Sequence, residues 1–337
     1  MKIGYYASHE NYSPSELLKL VVEAEKSGFQ SILTSDDFNP SSEHEGQNGF
    51  AWSWLGAAMQ ATSQLEFGIL NSPGQRYHPA IIAQACATLL ELFPERFWIA
   101  IGSGQALNEH ITGTGWPSKV DRQVRLKECA DILNDLWSGK TVNKNGLVTV
   151  EDAKLFTIPA TKPTLIGSAI SERTAQWLGS WADGMITLSD NPAKLKKVID
   201  AFRRGGGEDK PIYLKVQLSY ARNESMAKIG AFAQWKNNMI GNQAMNNMRT
   251  SLELDRAGAS ITPQQLESKV LISSSTERHL EWLYEFSTMG FEKIFLHNVN
   301  RLQQEFIEDF GHYVIPLFLS IGKSEALKKD SAPLSVL

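Results

Sequence analysis

Short apolar runs alternate with amphipathic segments along most of the chain. The runs are rich in β-branched and aromatic residues, which is typical of strands buried on both faces of a parallel sheet. The segments between them repeat their apolar positions with helical spacing. This pattern predicts eight strands, at residues 2–8, 31–35, 65–71, 97–101, 164–166, 184–189, 211–220 and 293–299. Strands that alternate with helices in this number favour a (β/α)8 TIM barrel, an α/β fold, over an open doubly wound sheet.

Two stretches interrupt the alternation. Residues 141–160 contain the hairpin turn signal Lys144-Asn145-Gly146 between β-rich arms. Residues 223–268 are rich in Met, Asn and Gln, have a helical pattern, and follow the seventh strand, where an insertion is well placed to act as a lid. A single barrel with insertions runs from about 200 to over 400 residues, so 337 residues suit one domain. We predict one domain over residues 1–320, with insertions near 141–160 and 223–268, and a C-terminal tail at 321–337.

Composition narrows the possible partners. The net charge is −4, with 33 basic and 37 acidic residues, so the chain lacks the basic excess of nucleic-acid-binding proteins. The sequence has no signal-peptide pattern and no apolar run of about eighteen residues. Its histidines are scattered, and neither HExxH nor a paired-cysteine spacing occurs, so no metal site is predicted. We expect a cytoplasmic protein that acts on a small molecule and binds neither nucleic acid nor membrane.

Polar side chains stand at the ends of most predicted strands. In a TIM barrel the catalytic groups come from the C-terminal ends of several strands, which meet at one mouth. The residues at these ends are His9, Glu10, Asp36, Asp37, Asn71, Glu109, His110, Ser168, Ser189, Asp190, His297 and Asn298. Their convergence predicts an active site at this mouth.

Two strand ends carry small residues. Gly102-Ser103-Gly104 follows the fourth strand, and glycine there lets backbone amides approach a ligand or adopt a positive φ. Gly167-Ser168-Ala169-Ile170-Ser171 runs into a helix, whose N-terminus attracts phosphate. The second segment therefore predicts a phosphate cradle, although it lacks the lysine and the spacing of a P-loop. Ordinary strand-to-helix turns would explain both segments equally well.

Three acidic residues at the mouth permit a different chemistry. Asp36, Asp37 and Glu109 could serve as paired carboxylates in glycoside hydrolysis, which acids at barrel strand ends often perform. Each carboxylate also fits the simpler role of a helix cap or a loop anchor.

Five motifs in fixed order resemble one enzyme family. They are GYYASHENYSP, SILTSDDFNP, GQRYHPAIIAQACATL, GSGQALNE and SWADGMITLS. Together they resemble the luciferase-like flavin and deazaflavin oxidoreductases over residues 2–320. The resemblance is strongest to the deazaflavin-dependent glucose-6-phosphate dehydrogenase group, including its relatives that use a flavin instead. The order of the motifs disfavours the glycosidase hypothesis.

The resemblance implies a TIM barrel whose mouth holds the ring of FMN or of the deazaflavin coenzyme F420. It assigns cofactor binding to Asp36, Leu70, Asn71, Ser72, Gly104, Asn108, Gly167, Ser168, Ala169, Ile170 and Ser171. Residues 70–72 would lie behind the ring, in some relatives through a cis peptide bond, and residues 167–171 would hold the phosphate. It assigns catalysis to Glu10, Asp36, Asp37 and Glu109. Such groups could orient a substrate hydroxyl or exchange a proton as hydride moves.

Two positions depart from the sugar-phosphate dehydrogenases. Asp37 stands where those enzymes carry a histidine, their proposed base, and Ser41 stands where they carry a tryptophan. Oxidation of glucose 6-phosphate by that route is therefore not expected. Both changes resemble the flavin-using branch, which favours FMN slightly over F420.

The sequence thus predicts an oxidoreductase of the luciferase-like family, with FMN or F420 for hydride transfer or oxygen activation on a small organic substrate. The alternative is a flavin-binding protein of the same fold whose catalysis is altered by Asp37 and Ser41.

Helices predicted at residues 51–62 and 78–93 are apolar on more than one face. Related proteins form dimers through this side of the barrel, so a homodimer is expected.

Overall fold

The computed structural model describes residues 1–320, with the side chains of Asn242 and Gln243 excepted, so the predicted tail at 321–337 lies outside the described residues. Its strands are β1 (Lys2–Ala7), β2 (Ser31–Ser35), β3 (Glu66–Asn71), β4 (Phe97–Ile101), β5 (Val142–Asn145), β6 (Thr149–Ala153), β7 (Thr164–Ser168), β8 (Gly184–Leu188), β9 (Ile212–Ser219), β10 (Leu271–Ile272) and β11 (Lys293–Asn298). A closed parallel barrel runs in the order β1-β2-β3-β4-β7-β8-β9-β11, and β11 pairs with β1. The (β/α)8 TIM barrel and its eight strands are confirmed.

Helices surround the barrel and extend over its mouth. They are α1 (Pro14–Lys26), α2 (Ala51–Ala61), α3 (Pro79–Leu92), α4 (Ala106–Glu109), α5 (Lys119–Trp137), α6 (Glu172–Gly179), α7 (Pro192–Phe202), α8 (Glu224–Trp235), α9 (Asn242–Met245), α10 (Ser251–Gly258), α11 (Pro263–Glu267), α12 (Thr276–Ser287) and α13 (Gln303–Asp309). The start of α1 follows from its sequence, because Ser13 and Glu16 exchange side-chain-to-backbone hydrogen bonds and Pro14 suits the first turn. Within residues 1–320, every helix is too short or too polar to cross a lipid bilayer.

Side chains inside the barrel alternate with side chains that face the helices. In β9, Tyr213 belongs to the interior cluster, while Ile212 and Leu214 on either side pack between the barrel and the helices. The interior cluster consists of Tyr6, Leu33, Trp98, Ala100, Ile166, Ile186, Tyr213 and Phe295. Gly68 must lack a side chain, because a Cβ there would lie 2.1 Å from Trp98 Cζ2. Large aromatic rings thus fill the barrel below the mouth, and the polar side chains lie above these rings.

Both insertions are structured. The first is an antiparallel hairpin of β5 and β6 around the predicted turn. The second comprises α8 to α11 and contacts the loop after β2. Asn237 Nδ2 donates to the Ser41 carbonyl at 2.9 Å, and Ser251 Oγ donates to the Pro40 carbonyl at 2.6 Å. The second insertion therefore packs on the mouth, while its motion as a lid and the division into one domain stay predictions.

Candidate active site

The guanidinium of Arg76 joins two carboxylates at the mouth. Asp36 follows β2, Glu109 ends α4 after β4, and Arg76 lies on the loop between β3 and α3. Arg76 Nη2 lies 3.5 Å from Asp36 Oδ2, and Arg76 Nε lies 3.6 Å from Glu109 Oε1. The amide of Arg76 also donates to Glu109 Oε2 at 2.9 Å. All three side chains are almost fully buried, so this is a desolvated ion-pair bridge.

Burial disfavours the ionised form of both carboxyls. It raises the pKa of Asp36 to about 6, against the charge of Arg76, which lowers it. Burial likewise raises the pKa of Glu109, and Arg76 again opposes the shift. Asp36 also accepts hydrogen bonds from Asn71 Nδ2 at 2.9 Å and from Tyr77 Oη at 3.4 Å. Asp36 therefore has a pKa of about 6, and the charge of Arg76 keeps this pKa from rising further.

A second network holds Asp37. Ser35 Oγ donates to Asp37 Oδ2 at 2.6 Å, and Asn108 Nδ2 donates to Asp37 Oδ1 at 2.7 Å. The Asn108 side-chain oxygen accepts from the amides of Phe38 at 2.8 Å and Asn39 at 3.0 Å. Both ends of the Asn108 side chain thus hold the loop after β2, and its role towards a cofactor stays a prediction.

Glu10 reaches the same loop from the end of β1. Its Oε1 accepts from the Ser41 amide at 2.8 Å and from Ser41 Oγ at 2.7 Å. Burial and the negative charge of Asp37 raise the pKa of Glu10. Burial and the charge of Glu10 raise the pKa of Glu45 to about 9, so Glu45 is a neutral acid at neutral pH. Ser41, in place of the tryptophan, serves as the hydrogen-bond partner of Glu10.

The sequence-based candidates omit two charged residues of this site, Arg76 and Lys215. Lys215 lies on β9, and its ammonium is 3.6 Å from the centroid of the Tyr6 ring. Tyr6 Oη in turn hydrogen-bonds with Ser35 Oγ at 2.7 Å. The sequence signal for Lys215 is a charge at an inward position of an otherwise apolar strand, where charges are rare. The signal for Arg76 is its place in the GQRY motif.

Two glycines near the mouth have different reasons to lack a side chain. Gly104 adopts a φ of +79°, and a Cβ there would lie 3.1 Å from Glu109 Cγ. A Cβ on Gly167 would lie 2.5 Å from Leu178 Cδ2, so this glycine permits close packing of α6 on β7. Glycine is therefore required at 104 by the backbone conformation of the site, whereas it is required at 167 by the packing of α6 on β7.

The start of α6 offers amides to an anion. The amide of Ala169 already donates to the Ile186 carbonyl at 3.0 Å. Ser171 precedes α6 without capping it, because its hydroxyl donates to Thr174 Oγ1 at 3.0 Å instead. The first turn of α6 thus presents backbone N–H groups without a side-chain acceptor, as a phosphate cradle requires.

The turn that the resemblance places behind the cofactor ring has trans peptide bonds, and no cis peptide bond occurs in residues 1–320. Leu70 packs against the interior cluster. Asn71 Oδ1 is buried and lacks a hydrogen-bond partner among the described residues. This oxygen is therefore free to accept a hydrogen bond from a bound ligand or water.

Several other candidate residues at the strand ends make hydrogen bonds or ion pairs that stabilise the fold. His110 Nδ1 hydrogen-bonds with a carbonyl of α4 at 2.9 Å, and Asn298 Oδ1 accepts from the Tyr220 amide at 3.0 Å. Asp190 pairs with Lys269 Nζ at 2.7 Å. The described part of the chain contains no group of three or more side chains able to hold a metal ion.

The barrel and its mouth define a class of protein. Buried acids, an arginine bridge and an uncapped helix N-terminus meet where TIM-barrel enzymes bind substrates and phosphate-bearing ligands. Residues 1–293 match the model of the luciferase-like monooxygenase family. The chain belongs to this family.

Relatives match the chain over nearly its whole length. It is 30% identical over 328 residues to the F420-dependent glucose-6-phosphate dehydrogenase of Nakamurella multipartita, across 94% of this chain and 96% of that protein. It is 29% identical over 336 residues to the enzyme of the same name from Mycobacterium tuberculosis, across 96% and 99% of the two chains. An F420-dependent secondary alcohol dehydrogenase, solved in complex with an F420-acetone adduct, matches with a TM-score of 0.88 and 28% identity, across 94% of this chain and 98% of that one. The chain is accordingly an oxidoreductase enzyme of this family.

Proposed function

We propose that this protein is an F420-dependent oxidoreductase that moves hydride between the deazaflavin and a small secondary alcohol or its ketone. The observation that carries this proposal is the buried bridge of Asp36, Arg76 and Glu109, at the mouth of a barrel that matches an F420-dependent secondary alcohol dehydrogenase with a TM-score of 0.88. The relatives reported above are named as F420-dependent, so the preference for FMN is not supported. Because a deazaflavin transfers hydride only, we do not propose oxygen activation.

The residues at the mouth fit such a cofactor. The buried, unpaired Oδ1 of Asn71 is available to accept a hydrogen bond from the ring. Leu70, Asn71 and Ser72 would hold the ring, and the uncapped first turn of α6 would hold the phosphate. When bound, F420 supplies the hydride acceptor. The chain supplies charged side chains beside the cofactor, because Arg76 holds Asp36 and Glu109 in position by ion pairs.

Glucose 6-phosphate is not the substrate that we propose. Asp37, in the place of the expected histidine, accepts hydrogen bonds from Ser35 and Asn108. Ser41, in the place of the tryptophan, donates hydrogen bonds to Glu10. A sugar phosphate would also meet the carboxylate of Asp37. The loop after β8 carries Asp190, which pairs with Lys269 at 2.7 Å, so this lysine is already engaged. These contacts favour an uncharged substrate.

The proposed function is tested with purified protein, oxidised F420 and a panel of alcohols under anaerobic conditions. We expect the visible absorbance of the oxidised deazaflavin to fall with secondary alcohols such as 2-propanol, and to stay constant with glucose 6-phosphate. Deuterium at the carbinol carbon should slow the reaction, since that C–H bond breaks. Reaction with glucose 6-phosphate alone would contradict the substrate class. Tight F420 binding without turnover of any substrate would favour the altered flavin-binding alternative.

The phosphate cradle is tested by a charge placed beside it. Ile170 lies between β7 and α6 and is 40% exposed, so the substitution Ile170→Asp should not disturb packing. A carboxylate there would repel the cofactor phosphate, and we expect F420 to bind about tenfold more weakly by calorimetry. The effect should diminish at high salt, which screens exposed charges. Ile170→Asn is the matched uncharged control, and an equal loss in both variants would place the phosphate elsewhere.

A further inference from the structure

A lysine is buried inside the barrel close to the mouth. Lys215 lies on β9, level with Leu188 of β8 and Phe295 of β11 in the strand register. It is 8% exposed, and it points inward, because its ammonium lies 3.6 Å from the centroid of the Tyr6 ring. Charged side chains are almost never buried this fully unless they are paired.

Lys215 has no ionic partner within residues 1–320. No carboxylate oxygen there comes within 4.0 Å of its ammonium, and no hydrogen-bond acceptor contacts it. Besides Tyr6, it faces the ring of Trp235, whose centroid is 5.9 Å away on the second insertion. Cation–π contacts offset only part of the cost of burying an ammonium group. The buried ammonium of Lys215 therefore does not stabilise the fold.

Titratable groups from three strands surround this lysine. The charges of Glu10 and Asp37 raise the pKa of Lys215, but burial outweighs them and lowers it to about 8. Burial and the charge of Lys215 hold the pKa of His297 well below its usual value, so this imidazole is neutral. Burial raises the pKa of Tyr6, so the phenol keeps its proton. Lys215 thus changes its protonation state just above neutral pH.

The carboxylates at the mouth are engaged by hydrogen bonds or ion pairs. Arg76 bridges two of them, and two side-chain donors hold Asp37. Glu10 accepts twice from Ser41. Lys215 is different, because its ammonium protons, or its lone pair when it is neutral, remain available to a substrate. Lysines of lowered pKa are well suited to act as general bases.

We propose that Lys215 exchanges the hydroxyl proton of the substrate during hydride transfer, a role that rests on the proposed alcohol-oxidising function. In the oxidation, the carbinol C–H bond breaks, and its electron pair leaves with the hydrogen as hydride to the oxidised deazaflavin. The O–H bond also breaks, its proton passes to the neutral Nζ of Lys215, and the electron pair left behind forms the C=O bond. In ketone reduction the ammonium returns this proton to the oxygen. Asp37 replaces the histidine expected for this task, so another base is needed.

The pH profile of 2-propanol oxidation by the whole chain tests this role. The wild-type kcat/KM should rise with pH through an inflection at about pH 8, and Lys215→Met should lose that inflection and about 100-fold in rate. Lys215→Arg should lose as much, because a guanidinium keeps the charge but does not release a proton. Asp37→Asn should move the inflection to lower pH, because it removes a charge that raises the pKa of Lys215. Wild-type rates in Lys215→Arg would overturn the proposal.

A second readout needs neither cofactor nor substrate. Lys215 should cost stability below about pH 8, because the folded state resists the proton that the unfolded chain binds up to its usual pKa of 10.5. We expect Lys215→Met to melt about 2–6 °C above the wild type at about pH 7, and the two curves to converge near pH 10.5. If melting follows this course but no alcohol is oxidised by the wild type, the proposed function fails and the role of Lys215 with it. Unchanged oxidation by Lys215→Met would overturn the role of Lys215 alone.

Discussion

Arg76→Ala should lower the free energy of unfolding by about 3–5 kcal/mol, the usual cost of removing one partner from a buried ion pair. The variant leaves the buried Asp36 without its counter-charge and leaves the buried Glu109 with only the charge of Arg125. Without the charge of Arg76 the pKa of each carboxyl should rise further, Asp36 from its value of about 6, so both should take up protons in the folded variant as the pH falls and become neutral. The loss measured by urea unfolding should therefore be largest at the higher pH and shrink at the lower one.

Matched variants separate the bridge from simple loss of packing. Arg76→Lys keeps the charge but not the planar fork, so it should recover part of the loss. Adding Asp36→Asn and Glu109→Gln to Arg76→Ala removes the unpaired charges and should recover most of it. A loss that does not change with pH, or that the neutralising substitutions do not reduce, would mean that the bridge is not the source of the effect.

Asn108→Leu should lower the free energy of unfolding by about 2–4 kcal/mol, because several groups lose a hydrogen-bond partner at once. These groups are the amides of Phe38 and Asn39 and the carboxylate of Asp37. The loop after β2 should loosen, so F420 should also bind more weakly. Chemical unfolding and calorimetric titration of the same sample measure both effects.

An exchange of two residues tests the direction of these hydrogen bonds. Asn108→Asp alone places a second carboxylate against Asp37 and removes the donor, so it should destabilise the fold. The double variant Asp37→Asn with Asn108→Asp restores a donor facing an acceptor and keeps an oxygen for the amides of Phe38 and Asn39. It should recover more than half of the loss from Asn108→Asp. Additive losses in the double variant would show that the two side chains do not pair.

The barrel is predictable from the sequence because its strands are buried on both faces. All five residues of Phe97–Ile101 are buried, so burial leaves an uninterrupted apolar run in the sequence. The second insertion is less predictable in detail. Its helices α9 to α11 are short, and contacts such as that of Ser251 in α10 with the Pro40 carbonyl position them, rather than a long apolar stripe.

The site is only partly predictable, and the reason is where each residue lies. Asp36 and Glu109 follow strands, so topology alone brings them to one mouth. Arg76 lies on a loop whose conformation depends on contacts with residues more than thirty positions away. Lys215 lies within a strand, and Tyr6, which it contacts, comes from the other end of the chain. No local pattern encodes such contacts.

The preference for FMN rested on Asp37 and Ser41 alone. In the structure both residues make hydrogen bonds within the loops of the mouth, to Ser35, Asn108 and Glu10. These bonds explain why a carboxylate and a hydroxyl occupy the two positions, and they say nothing about the cofactor. The homodimer and the cytoplasmic location stay predictions.

Parallel fluorescence titrations of the apo protein with F420 and with FMN, at equal ionic strength, test the central claim most directly. The account predicts saturable binding of F420 at micromolar concentrations or below, with FMN at least about tenfold weaker, a difference of about 1.4 kcal/mol. Tight binding of FMN with weak or no binding of F420 would contradict it.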